Sequence, residues 1–79
     1  MRRYFFDIHD GHTLILDETG VDCETEQHVR REAITVLPEI AKDQLPNGAE
    51  VCFWVKVRDE SGIYVFEASL ELKSGWLSS

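Results

Sequence analysis

Apolar and polar residues follow a helical period in one stretch of the chain, Thr25 to Asp43. The apolar positions recur three and four residues apart and so form one stripe, made of Val29, Ala33, Val36, Leu37, Ile40 and Ala41. Thr25 is the expected N-cap, and Asp22 competes for that place. Pro38 removes a helical hydrogen bond, but the stripe continues beyond it. We therefore predict one kinked helix that ends before a turn at 45–48.

Four segments around this helix have the pattern of strands. Residues 3–8 and Thr13–Asp17 precede the helix, and Val51–Arg58 and Ile63–Leu72 follow it. Because one helix cannot bury its stripe alone, we predict an α+β fold, β-β-α-β-β, in a single domain of residues 1–79. The four-stranded antiparallel sheet is expected in the order 2-1-3-4, with the helix on one face. The expected core is the helix stripe together with Tyr4, Phe6, Ile8, Val51, Phe53, Val55, Val57, Phe66 and Leu70.

The first hairpin has two possible registers around the turn signal Asp10-Gly11. A two-residue loop pairs Phe6 with Ile15. A three-residue loop that begins at His9 pairs Phe6 with Leu14, and it separates apolar from polar residues somewhat better. Both registers stay open at this point.

The second hairpin has a clearer pattern, because Val51–Arg58 alternates strictly between apolar residues and mostly polar ones. The turn lies at 59–62. An even loop pairs Val57 with Tyr64 and keeps the apolar residues of both strands on one face, whereas an odd loop mixes the faces. The alternation therefore predicts the even loop.

Composition limits the classes of function. The 79 residues include 15 acidic residues against 8 Lys and Arg, for a formal charge of −7. Seven acids and no Lys or Arg lie between Tyr4 and Val29. Nucleic-acid binding needs a concentrated basic surface, so we do not expect it. The sequence shows no signal peptide and no apolar run long enough to span a membrane, so we expect a cytoplasmic protein without a membrane partner.

Two cysteines, Cys23 and Cys52, lack the spacing of a metal site. Two cysteines would also be a thin disulfide framework for a secreted domain. We predict that each is a small buried hydrophobic residue.

Several segments resemble a family of small bacterial proteins that is described only as a domain of unknown function. The resemblance rests on the hairpin sequence RYFFDIHDG at 3–11, DETG at 17–20, REA at 31–33 and IAKD at 40–43. It implies a small cytoplasmic bacterial protein and supplies no catalytic or binding residues. The chain departs from the usual pattern at Pro38 and in its Trp76-Leu77 tail.

The first hairpin tip carries the only residues with a chemical pattern. With a two-residue loop, His9 and His12 would face each other near Asp7, and two imidazoles with a carboxylate could bind zinc or nickel. The simpler interpretation, which we favour, is a polar turn with solvated histidines. No nucleophile motif or phosphate loop is present, so we expect neither a cofactor nor catalysis.

A surplus of apolar residues favours binding as the function. One helix covers one face of the sheet, and the other face would carry Phe5, Ile15, Trp54, Ile63 and Val65, together with Cys52. Exposed patches of this kind often mark association sites. We therefore expect a non-catalytic interaction module that binds a second copy of itself, as a homodimer, or another protein. The alternative is that the tail with Trp76 and Leu77 folds back over that face.

Overall fold

The computed structural model describes residues 2–45 and 49–78. The described elements are β1 (Arg2–His9), β2 (Leu14–Ile15), β3 (Val21–Cys23), α1 (Glu26–Gln44), β4 (Glu50–Arg58) and β5 (Tyr64–Lys73). The fold is α+β, with one helix and an antiparallel sheet, as predicted. The predicted turn after the helix falls mostly on residues 46–48, which lie outside the described residues.

Helix α1 begins at the predicted cap. The Thr25 side chain accepts a hydrogen bond from the backbone N–H of His28 at 3.1 Å. The helix then continues through Pro38 as one element, as the apolar stripe predicts. Four residues of the stripe are buried: Val29, Ala33, Leu37 and Ala41. In the part of the chain that is described, no helix has both the length and the apolar content needed to cross a membrane.

The sheet has five strands, and the predicted count of four is wrong. The order is β2-β1-β4-β5, and β3 also pairs with β1. The predicted order 2-1-3-4 numbers only four strands, of which the third and fourth correspond to β4 and β5. It is wrong because it lacks Val21–Cys23, the strand β3. The neighbours that it proposed are present: β2 with β1, β1 with β4, and β4 with β5. Because β4 occupies one edge of β1, β2 and β3 share the other edge. They form an interrupted strand, and residues 16–20 separate its two parts.

Both registers predicted for the first hairpin are wrong. Ile8 pairs with Ile15 and His9 pairs with Leu14, so the loop has four residues, 10–13. The Asp10 side chain explains the longer loop, since its Oδ1 accepts from the N–H groups of His12 and Thr13 at 3.0 and 2.8 Å. An aspartate side chain that bonds backbone groups two and three residues ahead closes a turn that the Asp-Gly pattern alone does not specify.

The register predicted for the second hairpin is also wrong. Val57 pairs with Phe66, and Arg58 pairs with Tyr64, with a register shift between Val57 and Arg58. The loop has the odd length of five residues, 59–63, and Asp59 Oδ1 holds it by accepting from two backbone N–H groups within it. The register shift behaves as a β-bulge and absorbs the extra residue, so the apolar faces stay aligned without an even loop. Tyr64 therefore shares a face with Arg58 and not with Val57.

The core lies between α1 and the central strands. Its buried hydrophobic residues are Phe6, Cys23, Val29, Ala33, Leu37, Ala41, Phe53, Val55 and Val57. The prediction that Cys23 is buried is confirmed, but Cys52 is exposed because its strand position points away from the helix. Leu70 was expected in the core and is 41% exposed. It lies on the edge strand β5, which has a neighbouring strand on one side only.

Candidate functional site on the open face of the sheet

Asp7 is the one buried charged residue among the described residues, and it lies on the face of the sheet away from α1, here called the open face. Its carboxylate accepts four hydrogen bonds. Oδ1 accepts from the backbone N–H of Asp17 and from Arg58 Nη2, at 3.0 and 3.1 Å. Oδ2 accepts from Arg58 Nε and from the Tyr64 hydroxyl, at 2.9 and 2.8 Å. The carboxylate thus joins β1, β4, β5 and the segment that follows β2.

Asp17 organises the gap between β2 and β3. Its carboxylate accepts from the backbone N–H groups of Phe6, Thr19 and Gly20, at 3.1, 3.0 and 3.0 Å. Its carbonyl oxygen accepts from Arg58 Nη2 at 2.8 Å. Asp17 therefore replaces a missing strand partner for Phe6 and connects the interrupted edge to the Asp7 cluster.

The surroundings of both carboxylates lower their pKa. Burial would raise the pKa of Asp7, but the hydrogen bonds from Arg58, from the N–H of Asp17 and from Tyr64 together lower it below the usual value of an aspartate. Burial likewise raises the pKa of Asp17, and three backbone N–H donors outweigh it. The hydrogen bond to Asp7 in turn raises the pKa of Tyr64. The cluster is therefore built around a charged Asp7, and such a group is poorly suited to take up a proton at neutral pH.

The lowered pKa values of Asp7 and Asp17 predict that the fold loses stability in acid. Because the folded pKa values of Asp7 and Asp17 lie below the unfolded ones, the stabilisation is complete above the unfolded pKa of about 4 and is lost as pH falls through the folded pKa. We expect the urea midpoint to drop between about pH 5 and pH 2, and to drop less in Asp7→Asn. Urea titrations followed by circular dichroism measure it. An equal pH dependence in the two proteins would contradict this assignment.

Two cations lie over aromatic rings on the same face. The Arg58 guanidinium carbon is 4.8 Å from the centre of the Phe5 ring. Lys56 Nζ is 4.9 Å from the centre of the Trp54 ring, and His9 stacks against that ring at 5.2 Å between centroids. Each cation–π contact is worth about 0.5–1 kcal/mol at an exposed site. The centre of the open face is therefore a mixed surface of rings and cations, in which Phe5 and Trp54 are half-buried.

The three candidate metal ligands are not brought together as a site. Asp7 is occupied by Arg58 and Tyr64, and His9 Nδ1 accepts from the backbone N–H of Gly11 at 3.1 Å. His12 lies in the loop 10–13 and does not face His9, which pairs with Leu14. Within residues 2–45 and 49–78, no group of three His, Cys, Asp or Glu side chains could hold a metal ion. The geometry therefore gives no support to zinc or nickel binding at this tip.

The predicted interface residues lie in three different places. Phe5 and Trp54 lie on the open face beneath the two cations. Ile15 pairs with Ile8 and so lies on the helix side of the sheet, at its outer edge. Ile63 and Val65 lie at the loop end of β5. Ile15, Ile63 and Val65 are more than half exposed, at 53%, 62% and 51%.

Sequence reasoning missed Tyr64 and Asp17 as members of the cluster. The alternating pattern predicts Tyr64 on the helix side, and the bulge moves it to the open face. The strand pattern ends at Asp17, but Asp17 also begins the turn sequence DETG, and an aspartate at that position commonly bonds the backbone that follows it. The remaining pair, Asp7 and Arg58, is separated by 51 residues, and no local pattern indicates it.

The comparison with protein families decides what the chain is related to. Residues 3–71 match the model of a domain of unknown function, DUF6894. The chain belongs to the DUF6894 family. The resemblance seen in the sequence is therefore confirmed at the level of a family without a known function. No curated protein and no solved structure gives a significant match.

The DUF6894 match covers the whole Asp7 cluster. It includes Asp7, Asp17, Arg58 and Tyr64, and it ends at residue 71 within β5. Trp76 and Leu77 therefore lie beyond the matched part of the chain. The cluster belongs to the DUF6894 domain itself, and the apolar tail is an extension of it.

Proposed function

We propose that this domain is a non-catalytic interaction module whose partner is a second copy of the same chain. The observation that carries the proposal is the tail. Trp76 and Leu77 are 101% and 95% exposed, so they do not cover the open face or any other part of the described chain. Exposing a Trp and a Leu to water is unfavourable, and a second molecule can bury them.

Exposed apolar residues beyond the tail support the same conclusion. Most of them lie along the outer edge of β2 and β3 and at the loop end of β5. These are Leu14, Ile15, Leu16, Val21, Ile63, Tyr64 and Val65. The originally expected interface of Phe5, Ile15, Trp54, Ile63 and Val65 remains part of the proposal. Its exposed members at the loop end of β5 contribute more than the rings held beneath Lys56 and Arg58.

Two further parts of the proposal rest on the sequence. The resemblance to small bacterial proteins supports a bacterial origin and a cytoplasmic location. The net charge of −7 supports a protein partner over a nucleic acid or an anionic membrane.

Self-association should depend on concentration and on salt. We expect light scattering to show a monomer at low micromolar concentration and a dimer at high micromolar concentration. Because two chains of charge −7 repel each other, added salt should strengthen the dimer through screening.

The matched control for this measurement is a chain with Trp76→Ser and Leu77→Ser, which we expect to remain monomeric at higher concentration. Wild-type protein that stays monomeric over the whole range, with or without salt, would refute the proposal. If the double substitution leaves the dimer unchanged, the tail has no part in self-association.

A further inference from the structure

We propose that the second copy binds along the outer edge of β5, in one particular antiparallel register. This inference rests on the proposed self-association and assigns its surface. Strand β5 runs from Tyr64 to Lys73 and ends the sheet order, so its outer edge has no strand partner among the described elements. An edge of ten residues is long enough to pair with another chain through its backbone.

The direction of the backbone groups indicates which residues would bond. The N–H of Ser74 donates to the carbonyl of Ala49 at 2.8 Å, toward the β4 side. Because N–H directions alternate along a strand, the N–H groups of Lys73, Glu71, Ser69 and Glu67 point outward. Two copies related by a two-fold axis pair these outward residues with one another.

The charges favour one register over the two registers next to it. When Leu70 faces Leu70 of the second copy, Glu67 faces Lys73 of that copy, and Ser69 faces its Glu71. By symmetry the Glu67–Lys73 pair occurs twice. A shift of two residues one way sets Glu67 opposite Glu71 of the second copy. A shift of two residues the other way sets Glu71 opposite Glu71 of the second copy. Both alternatives bring like charges together, which is unfavourable between strands.

The apolar residues fit the same register. Leu70, which is 41% exposed in one chain, would be buried against Leu70 of the second copy at the two-fold axis. Continued past Lys73, the register brings the tail residues Trp76 and Leu77 to the loop end of β5 of the second copy, where Tyr64 and Ile63 lie. Those two residues are 55% and 62% exposed. One pairing therefore covers the apolar residues at both ends of β5.

The present partner of Lys73 does not oppose this pairing. Lys73 Nζ lies 3.7 Å from Glu71 Oε1, and the two side chains are 69% and 56% exposed. An exposed ion pair of this kind contributes little, so its exchange for an intermolecular pair is nearly free. The opposite edge of the sheet is a poorer candidate, since it is interrupted at residues 16–20 and acid-rich, with no Lys or Arg from residue 5 to 29.

Charge reversal tests the register. Glu67→Lys sets Lys opposite Lys73 of the second copy, and Lys73→Glu sets Glu opposite Glu67. We expect each single change to raise the dimer Kd about tenfold or more, because two like-charge pairs replace two opposite-charge pairs. The double variant restores opposite charges in reversed order, and its Kd should return to within about threefold of wild type. Sedimentation equilibrium measures all four proteins.

Two controls separate this effect from net charge. Glu18→Lys and Lys42→Glu make the same charge changes at exposed residues away from β5, and neither should reproduce the loss. Glu67 and Lys73 also face Lys56 and Glu50 of β4, so thermal unfolding must show that each variant remains folded.

A backbone variant provides an independent test. Ser69→Pro removes an N–H that points outward and leaves the bonds to β4 in place, since proline is tolerated on an edge strand in this position. We expect it to raise the Kd about tenfold or more. If the wild type dimerises but the double charge reversal does not restore its Kd, this interface is overturned and self-association stands. The same holds if Ser69→Pro leaves the Kd unchanged. A wild-type monomer overturns both.

Discussion

Replacement of Asp7 by Asn should lower the free energy of unfolding by about 2–4 kcal/mol. The Asp7 side chain is 1% exposed, and its two oxygens accept four hydrogen bonds. An asparagine oxygen in the Oδ1 position can still accept from Asp17 and from Arg58 Nη2. The amide nitrogen in the Oδ2 position would meet the Nε–H of Arg58, which is also a donor. The guanidinium then loses its counter-charge, and the cost of an unpaired charge exceeds the value of the pair itself.

Urea unfolding at neutral pH measures this loss. A chain of this length is stabilised by about 4–12 kcal/mol, so the variant should show a clearly lower midpoint. Glu18→Gln removes an exposed acid from the same part of the chain and should leave the midpoint nearly unchanged. Tyr64→Phe removes one of the four hydrogen bonds and should have a smaller effect than Asp7→Asn. Equal midpoints for Asp7→Asn and wild type would show that the cluster does not hold the sheet together.

The Asp7 cluster also bears on self-association. By holding Tyr64 and Arg58, it fixes the loop end of β5, where Ile63 and Val65 are exposed. In the proposed dimer this end receives the tail of the second copy. The part of the chain that matches the family model would therefore position an edge strand, and the tail beyond residue 71 would supply the apolar contact.

Local rules were enough to predict some elements of the fold. Thr25 caps the helix because a hydroxyl three residues before an N–H is a short-range relationship. The apolar stripe outweighed Pro38 since packing of a whole face exceeds the loss of one hydrogen bond. Both features can be recognised from residues a few positions apart in the sequence, and both are present.

Long-range relationships could not be predicted in this way. The register of β5 depends on a bulge, and the bulge places Tyr64 beside Arg58 and not beside Val57. The third strand was missed because Val21–Cys23 has only three residues and leads directly into the helix. The candidate site depends on the bulge, which brings Tyr64 to Asp7, and on the gap before the third strand, which holds Asp17. The sequence analysis therefore treated Asp7 as a candidate metal ligand and not as the centre of a structural cluster.

Asp17→Ala should be the second large loss, about 2 kcal/mol in the free energy of unfolding. The carboxylate accepts from three N–H groups, but they are not equally replaceable. Thr19 is exposed and Gly20 is partly exposed, so water can bond their N–H groups. Phe6 is 8% exposed, and its N–H points to the edge where the strand is interrupted. Its lost hydrogen bond therefore dominates the cost.

Amide hydrogen exchange distinguishes this explanation from a general loss of stability. In Asp17→Ala the Phe6 amide should exchange much faster than the amide of Val55, which lies in the central strand β4, because only Phe6 loses its acceptor. Asp17 also donates its N–H to Asp7, so the losses in Asp17→Ala and Asp7→Asn should not add fully in the double variant. Additive losses, or equal acceleration at Phe6 and Val55, would mean that Asp17 acts only through global stability. Selective exposure of Phe6 would instead show that one carboxylate replaces the missing strand partner between β2 and β3.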